Sequence, residues 1–99
     1  MKITKKTNGS ELTIAVEGRL DTLTAPDLDK EIKASIDGVK ALYLDFADLE
    51  YISSAGLRTL LSAQKAMSSR GGSMTVKNCA DDIMEIFEIT GFLDILTVE

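Results

Sequence analysis

The chain has 99 residues, 11 basic and 16 acidic side chains, a formal charge of −5, 44% hydrophobic residues, one Cys, one Pro and neither His nor Trp. A chain of this size removes roughly 65% of its unfolded surface from water, enough for one core without disulfides or metal, so residues 1–99 are expected to form a single domain. Without His the commonest general base and zinc ligand are missing, Cys79 alone builds neither a disulfide nor a thiolate cluster, and the acidic balance disfavours nucleic acid.

No Asp/Glu spacing stands out as a Mg²⁺ site, and no cofactor is expected; the partners implied are proteins. No apolar run approaches the ~20 residues of a membrane span, and Met1-Lys2-Ile3-Thr4 lacks a signal-peptide core, so the expected compartment is the cytoplasm. A reduced Cys79 fits that compartment as a small core residue.

Residues 2 to 7 and 11 to 17 read as two strands, the second alternating Leu12, Ile14 and Val16 with Thr13 and Ala15. Asn8-Gly9-Ser10 between them predicts a hairpin, because Asn and Gly tolerate positive φ. Gly18 closes the second strand, and a loop follows over Arg19-Leu20-Asp21-Thr22-Leu23-Thr24.

Thr24 as a cap, Pro26 in the first turn and Asp27 at the positive dipole end predict a helix over 25–37. Leu28, Ile32 and Ile36 share one face of it, and Gly38 stops it. Ala41 to Phe46 is nearly continuously apolar, which predicts a central strand buried on both faces.

After a loop over Ala47 to Ser53, a second helix is expected over 55–70, with Leu57, Leu60, Leu61 and Met67 inward. Arg70-Gly71-Gly72 ends it; Ser68 to Ser73 lacks the spacing of a phosphate-binding loop and reads as a C-cap and turn. Ser73 to Asn78 supplies a strand through Met74 and Val76. Ala80-Asp81-Asp82 opens a third helix in which Ile83, Ile86 and Phe87 face the core, with Met84 as a further candidate, closed by Gly91. Phe92, Leu93 and Ile95 to Val98 form an apolar extension suited to an edge strand.

The order β-β-α-β-α-β-α-β predicts an α/β fold: a mixed four- to five-stranded sheet with helices packed on it, since crossovers demand parallel pairs while the opening hairpin is antiparallel.

The chemically informative stretch is Asp45 to Leu57, where a strand is joined to a helix through Ser53 and Ser54. Two readings stand for a serine here. As an N-cap, its Oγ accepts from a first-turn amide and contributes about 0.5–2 kcal/mol. As an acceptor of phosphate, it lies where free amides and the helix dipole favour an anion. Gly56 either bares the backbone for a close partner or packs against a neighbour. Gly-x-Ser-x-Gly is absent and no His exists to activate a hydroxyl, so the chain is not expected to be an enzyme.

The stretch Asp-Phe-Ala-Asp-Leu-Glu-Tyr-Ile-Ser-Ser-Ala-Gly-Leu, with Gly18-Arg19-Leu20-Asp21 before it and Ile89-Thr90-Gly91-Phe92 after it, resembles the STAS domain of bacterial anti-sigma factor antagonists. The resemblance covers essentially the whole chain. The family pattern at the junction is Asp-Ser-Ser/Thr-Gly with the first Ser as phosphoacceptor. Laying its Gly on Gly56 puts the acceptor on Ser54, with Ser53 in place of the Asp and Ala55 in place of the Ser/Thr. Ser53 becomes a second candidate, and Asp21 matches the acidic residue of the family's partner-recognition loop.

The resemblance implies a partner switch. The unmodified protein binds an anti-sigma factor that is also a serine kinase, phosphorylation ends that binding, and a metal-dependent serine phosphatase resets it. The implied partner face is Asp21, Thr22, Thr24, Ser53, Ser54, Ala55, Gly56, Leu57 and Arg58. The rivals are a non-phosphorylated STAS subunit, as of a lipid-transport ATPase, and a small nucleotide- or ligand-binding domain, against which the missing phosphate-loop motif weighs.

Overall fold

A computed structural model describes all 99 residues. In chain order the elements are β1 (Lys2–Asn8), β2 (Glu11–Leu20), α1 (Ala25–Ser35), β3 (Ala41–Asp45), β4 (Leu49–Ile52), α2 (Ser54–Ser69), β5 (Ser73–Lys77), α3 (Asp81–Thr90), a 3₁₀ turn (Phe92–Asp94) and β6 (Thr97–Val98). The main sheet runs β1-β2-β3-β5-β6. Only the β1–β2 hairpin is antiparallel; β2–β3, β3–β5 and β5–β6 are parallel. This is the α/β mixed sheet expected, with β3 at its centre, and no helix is long and apolar enough to cross a membrane.

The segment expected as a loop from Ala47 to Ser53 contains β4. The reason lies in β2, which runs to Leu20 instead of closing at Gly18 and changes partner along its length. Its first half, Glu11 to Ala15, pairs with β3, while Gly18 to Leu20 pairs with β4 across a register shift between Gly18 and Arg19. Gly18 makes the shift with φ of +97°, a left-handed value that strains other side chains, and its amide donates to the Asp48 carbonyl at 3.0 Å.

The apolar periodicity puts one face of the sheet under the helices. Leu12, Ile14 and Val16 of β2, Leu42 and Leu44 of β3, Phe46 beyond it, and Met74 and Val76 of β5 are all buried. They join Leu28, Ile32 and Ile36 of the α1 region, Leu60 and Met67 of α2 and Ile83 and Phe87 of α3 in one cluster of 22 residues. Each such aliphatic or aromatic side chain contributes about 1.5–3 kcal/mol by leaving water.

The opposite face of the sheet is open, which corrects the expectation that the third strand is buried on both faces. Tyr43 and Asp45 point to the open side, where Tyr43 lies under the Lys77 ammonium at 4.2 Å and donates its hydroxyl to Glu11 at 3.3 Å. The other departures are small. α1 ends at Ser35 with Ile36 as its cap, and α2 runs from 54 to 69. Cys79 sits half-buried at the rim of the core, where desolvation pushes its thiol up to about 11 and keeps it protonated at neutral pH.

Candidate functional site

Strands β2 and β4 end side by side, and the chain leaves both at the same edge of the molecule. Leu20 pairs with Ile52, so Asp21 and Ser53 emerge next to each other, and the Ser53 amide donates to the Leu20 carbonyl at 2.9 Å. The start of α2 is thereby set against the loop that leads into α1.

The two serines divide the two readings between them. Ser53 is the N-cap: it is extended (φ −98°, ψ 176°), its hydroxyl accepts from the Gly56 amide at 3.4 Å and its carbonyl accepts from the Leu57 amide at 2.9 Å. Ser54 is the first helical residue, exposed, with no hydrogen bond to its hydroxyl. An unengaged hydroxyl at a helix start is sterically open to modification. Ser53, half-buried and committed to its cap, is the less accessible of the pair.

Gly56 answers its own question. It is buried, and a Cβ there would lie 2.7 Å from Ile52 Cγ1 and 2.9 Å from both the Leu20 Cγ and the Leu20 carbonyl oxygen. It is a packing glycine that lets α2 press onto the ends of β2 and β4. Leu57 is likewise turned into the core at 6% exposure. These two members of the expected partner face therefore support the site from beneath.

The loop beside Ser54 is held by Asp21. Its Oδ1 accepts from the Leu23 amide at 3.0 Å and the Thr24 amide at 3.2 Å. Thr24 does not cap α1 with its side chain. Its hydroxyl accepts from the Asp21 amide at 2.9 Å and lies 2.8 Å from the Arg19 carbonyl and 3.2 Å from Asp21 Oδ1, its proton serving one or the other. Desolvation acts to raise the Asp21 pKa, but the Thr24 and Leu23 amides, the Thr24 hydroxyl and the Arg19 charge together hold it below its ordinary value.

Three residues that the sequence pattern left out complete the site. Leu23, held up by this loop, is 85% exposed. Arg19 stacks on the Tyr51 ring at 4.3 Å and lies 3.7 Å from the Asp21 carboxylate. An apolar residue flanked by two threonines in a polar loop was the available signal for Leu23; the Arg19–Tyr51 pair depends on β4 and had none. Thr22 and Arg58 are both exposed and line the groove between α1 and α2 together with Ala55, Thr59 and Ser62. No group of three or more Asp, Glu or Cys side chains converges as a metal site.

Ser54 thus stands exposed at a helix start, beside a loop that Asp21 holds and on which Leu23 is exposed. The chain belongs to the STAS family: the family model described as the STAS domain matches residues 2–99. A protein described as an anti-sigma factor antagonist, BtrV of Bordetella bronchiseptica, is 34% identical over 99 residues, which is 99% of this chain and 85% of that protein. The anti-sigma-B factor antagonist of Bacillus subtilis is 26% identical over 93 residues, covering 94% of this chain and 85% of its own. Among solved structures, the Bacillus anti-sigma factor antagonist SpoIIAA shares the fold at a TM-score of 0.78 in its unphosphorylated form, at 15% identity over 99% of this chain and 87% of that one. Its phosphorylated form also has a TM-score of 0.78, at 16% identity over 99% and 91% of the two chains.

Proposed function

We propose that this chain is an anti-sigma factor antagonist that works as a phosphorylation-controlled partner switch in the cytoplasm, as one STAS domain without nucleic-acid contact. Unmodified, it binds an anti-sigma factor that is also a serine kinase and so frees a sigma factor. Phosphorylation of Ser54 ends that binding, and a metal-dependent serine phosphatase restores it. The observation that carries this reading is the division of labour at the start of α2: Ser53 caps the helix, and Ser54 stands exposed with its hydroxyl free.

In the transfer the Ser54 Oγ attacks the γ-phosphorus of ATP. The new O–P bond forms as the bond to the β–γ bridging oxygen breaks, ADP leaves, and the hydroxyl proton passes to a base on the kinase. Hydrolysis by the phosphatase returns the hydroxyl and releases inorganic phosphate. The phosphate adds about −1.5 to −2 charge at a helix N-terminus, which the dipole accommodates, so the fold persists. The interface changes instead: a loss of about 3 kcal/mol there weakens binding roughly a hundredfold.

The partner face comprises Asp21, Thr22, Thr24, Ser53, Ser54, Ala55 and Arg58, with Leu23 as its exposed apolar anchor. The test is site-mapped phosphorylation of wild type, Ser54→Ala and Ser53→Ala with ATP and the anti-sigma kinase encoded in the same genome. One phosphate is expected on wild type and Ser53→Ala and none on Ser54→Ala. Tight binding with no phosphate on either serine would overturn the switch in favour of a permanently docked subunit.

A further inference from the structure

The start of α2 differs in charge from the other two helix starts. α1 carries Asp27 in its first turn and α3 carries Asp81 and Asp82, whereas α2 has no acidic residue there. The amides of Ser54 and Ala55 donate to no protein acceptor. No carboxylate of its own first turn therefore compensates the positive end of this helix.

One cation near it is also uncommitted. Arg58 follows Ser54 by four residues, which places their Cβ atoms about 5–6 Å apart on one helical face. Helical side chains lean toward the N-terminus, so position 58 has Ser54 within its reach, and Arg58 lines the α1–α2 groove beside Ala55 and Thr59. The neighbouring charges are already engaged: Arg19 with Asp21 at 3.7 Å, and Lys33 with Asp29 at 3.0 Å within α1, on the facing wall of the α1–α2 groove. Arg58 is exposed and makes no ion pair.

We infer that Arg58 is the residue that receives the phosphate on Ser54, its guanidinium pairing with the phosphate oxygens while the free amides of the first turn hold the other side. This inference rests on the Ser54 reading. A guanidinium fork matches phosphate geometry and keeps its charge at every physiological pH. Phosphorylation then changes the partner face twice: it adds a dianion, and it withdraws Arg58 from the surface that the unmodified protein presents.

The experiment uses the full chain with phosphoserine inserted at position 54 during translation, so no kinase is needed. The phosphate is titrated by ³¹P NMR at low salt in wild type, Arg58→Gln and Arg58→Lys. A free phosphoserine titrates near pH 6. The helix dipole and the Asp21 and Asp29 carboxylates act equally in all three chains, so their differences report on position 58. The wild-type midpoint is expected about 0.5 unit or more below that of Arg58→Gln, roughly a threefold change in proton affinity, with Arg58→Lys between them. The gap is expected to shrink in 0.5 M salt. Equal midpoints in wild type and Arg58→Gln would overturn the role of Arg58 and leave the Ser54 reading intact. Failure of the kinase to modify Ser54 would overturn that reading while this titration stayed interpretable.

Discussion

The helices that follow β4 and β5 begin in opposite ways. α3 opens on Ala80, which offers no side-chain cap, and carries the charges of Asp81 and Asp82 in its first turn, the latter accepting from the Ile83 amide at 2.9 Å. α2 opens on a neutral cap, Ser53, and has no carboxylate in its first turn. It is held by shape instead, through a glycine pressed onto Leu20 and Ile52. One helix start is complete in its electrostatics, and the other is complete in its packing but open to an anion. The difference teaches that two helices of one small domain can be anchored at their starts by different means, one by carboxylates and the other by the close fit of a glycine.

The largest expected effect tests the steric half of that contrast. Gly56→Ala puts a methyl against the Leu20 carbonyl and the Ile52 side chain, and backbone on one side cannot yield, so about 1–3 kcal/mol of stability should be lost. Urea unfolding measures it; a midpoint equal to wild type would mean that α2 is not closed onto the strand ends.

Next in size is the cap. Ser53→Ala should cost about 1 kcal/mol, while Ser54→Ala, which removes an unengaged hydroxyl, should stay within about 0.5 kcal/mol of wild type. If the two costs came out in the reverse order, the serines would exchange roles.

The electrostatic half predicts a crossed pair of smaller effects. Asp81→Asn and Asp82→Asn should each lose about 0.3–1 kcal/mol at low salt, and Ser54→Asp should gain a similar amount, both fading as salt rises. A stability loss in Ser54→Asp would show that the start of α2 does not accept negative charge.

The smallest effect concerns the loop beside the site. Asp21 is held below its ordinary value of 3.8, so its contribution is complete above the unfolded-state pKa and is lost as pH falls through the lower folded value. The protection of the Leu23 and Thr24 amides against exchange, taken relative to the intrinsic rate at each pH, should hold above pH 5 and fall only in acid below 3.8, and Asp21→Asn should abolish that fall. A loss of protection already near pH 5 would mean that the folded state does not favour the Asp21 carboxylate.

Much of the fold is legible in short-range pattern. Alternation through Leu12, Ile14 and Val16, the four-residue recurrence of Leu28, Ile32 and Ile36, and Gly91 in its left-handed cap at φ +79° each follow from residues within a few positions. β4 is not legible this way. Leu49 and Ile52 are buried and Glu50 and Tyr51 exposed, so the strand shows no alternation, and it pairs only because β2 reaches past β3 to offer a free edge. The apolar run from Ala41 to Phe46 suggested two covered faces, yet Tyr43 lies on the open side, where its ring meets Lys77 and its hydroxyl meets Glu11.

At the candidate site the same boundary holds. The types and spacing of Ser53, Ser54, Gly56 and Asp21 mark a strand-to-helix junction suited to a cap or an anion, because capping and dipole effects act within one turn. Which serine caps and which stands free, whether Gly56 faces a partner or the core, and what Asp21 holds in place depend on β2 and β4 ending side by side, an arrangement that joins residues about thirty positions apart. Local chemistry is written along the chain. Exposure and neighbourhood are properties of the packed sheet, and here they separate a structural serine from an accessible one.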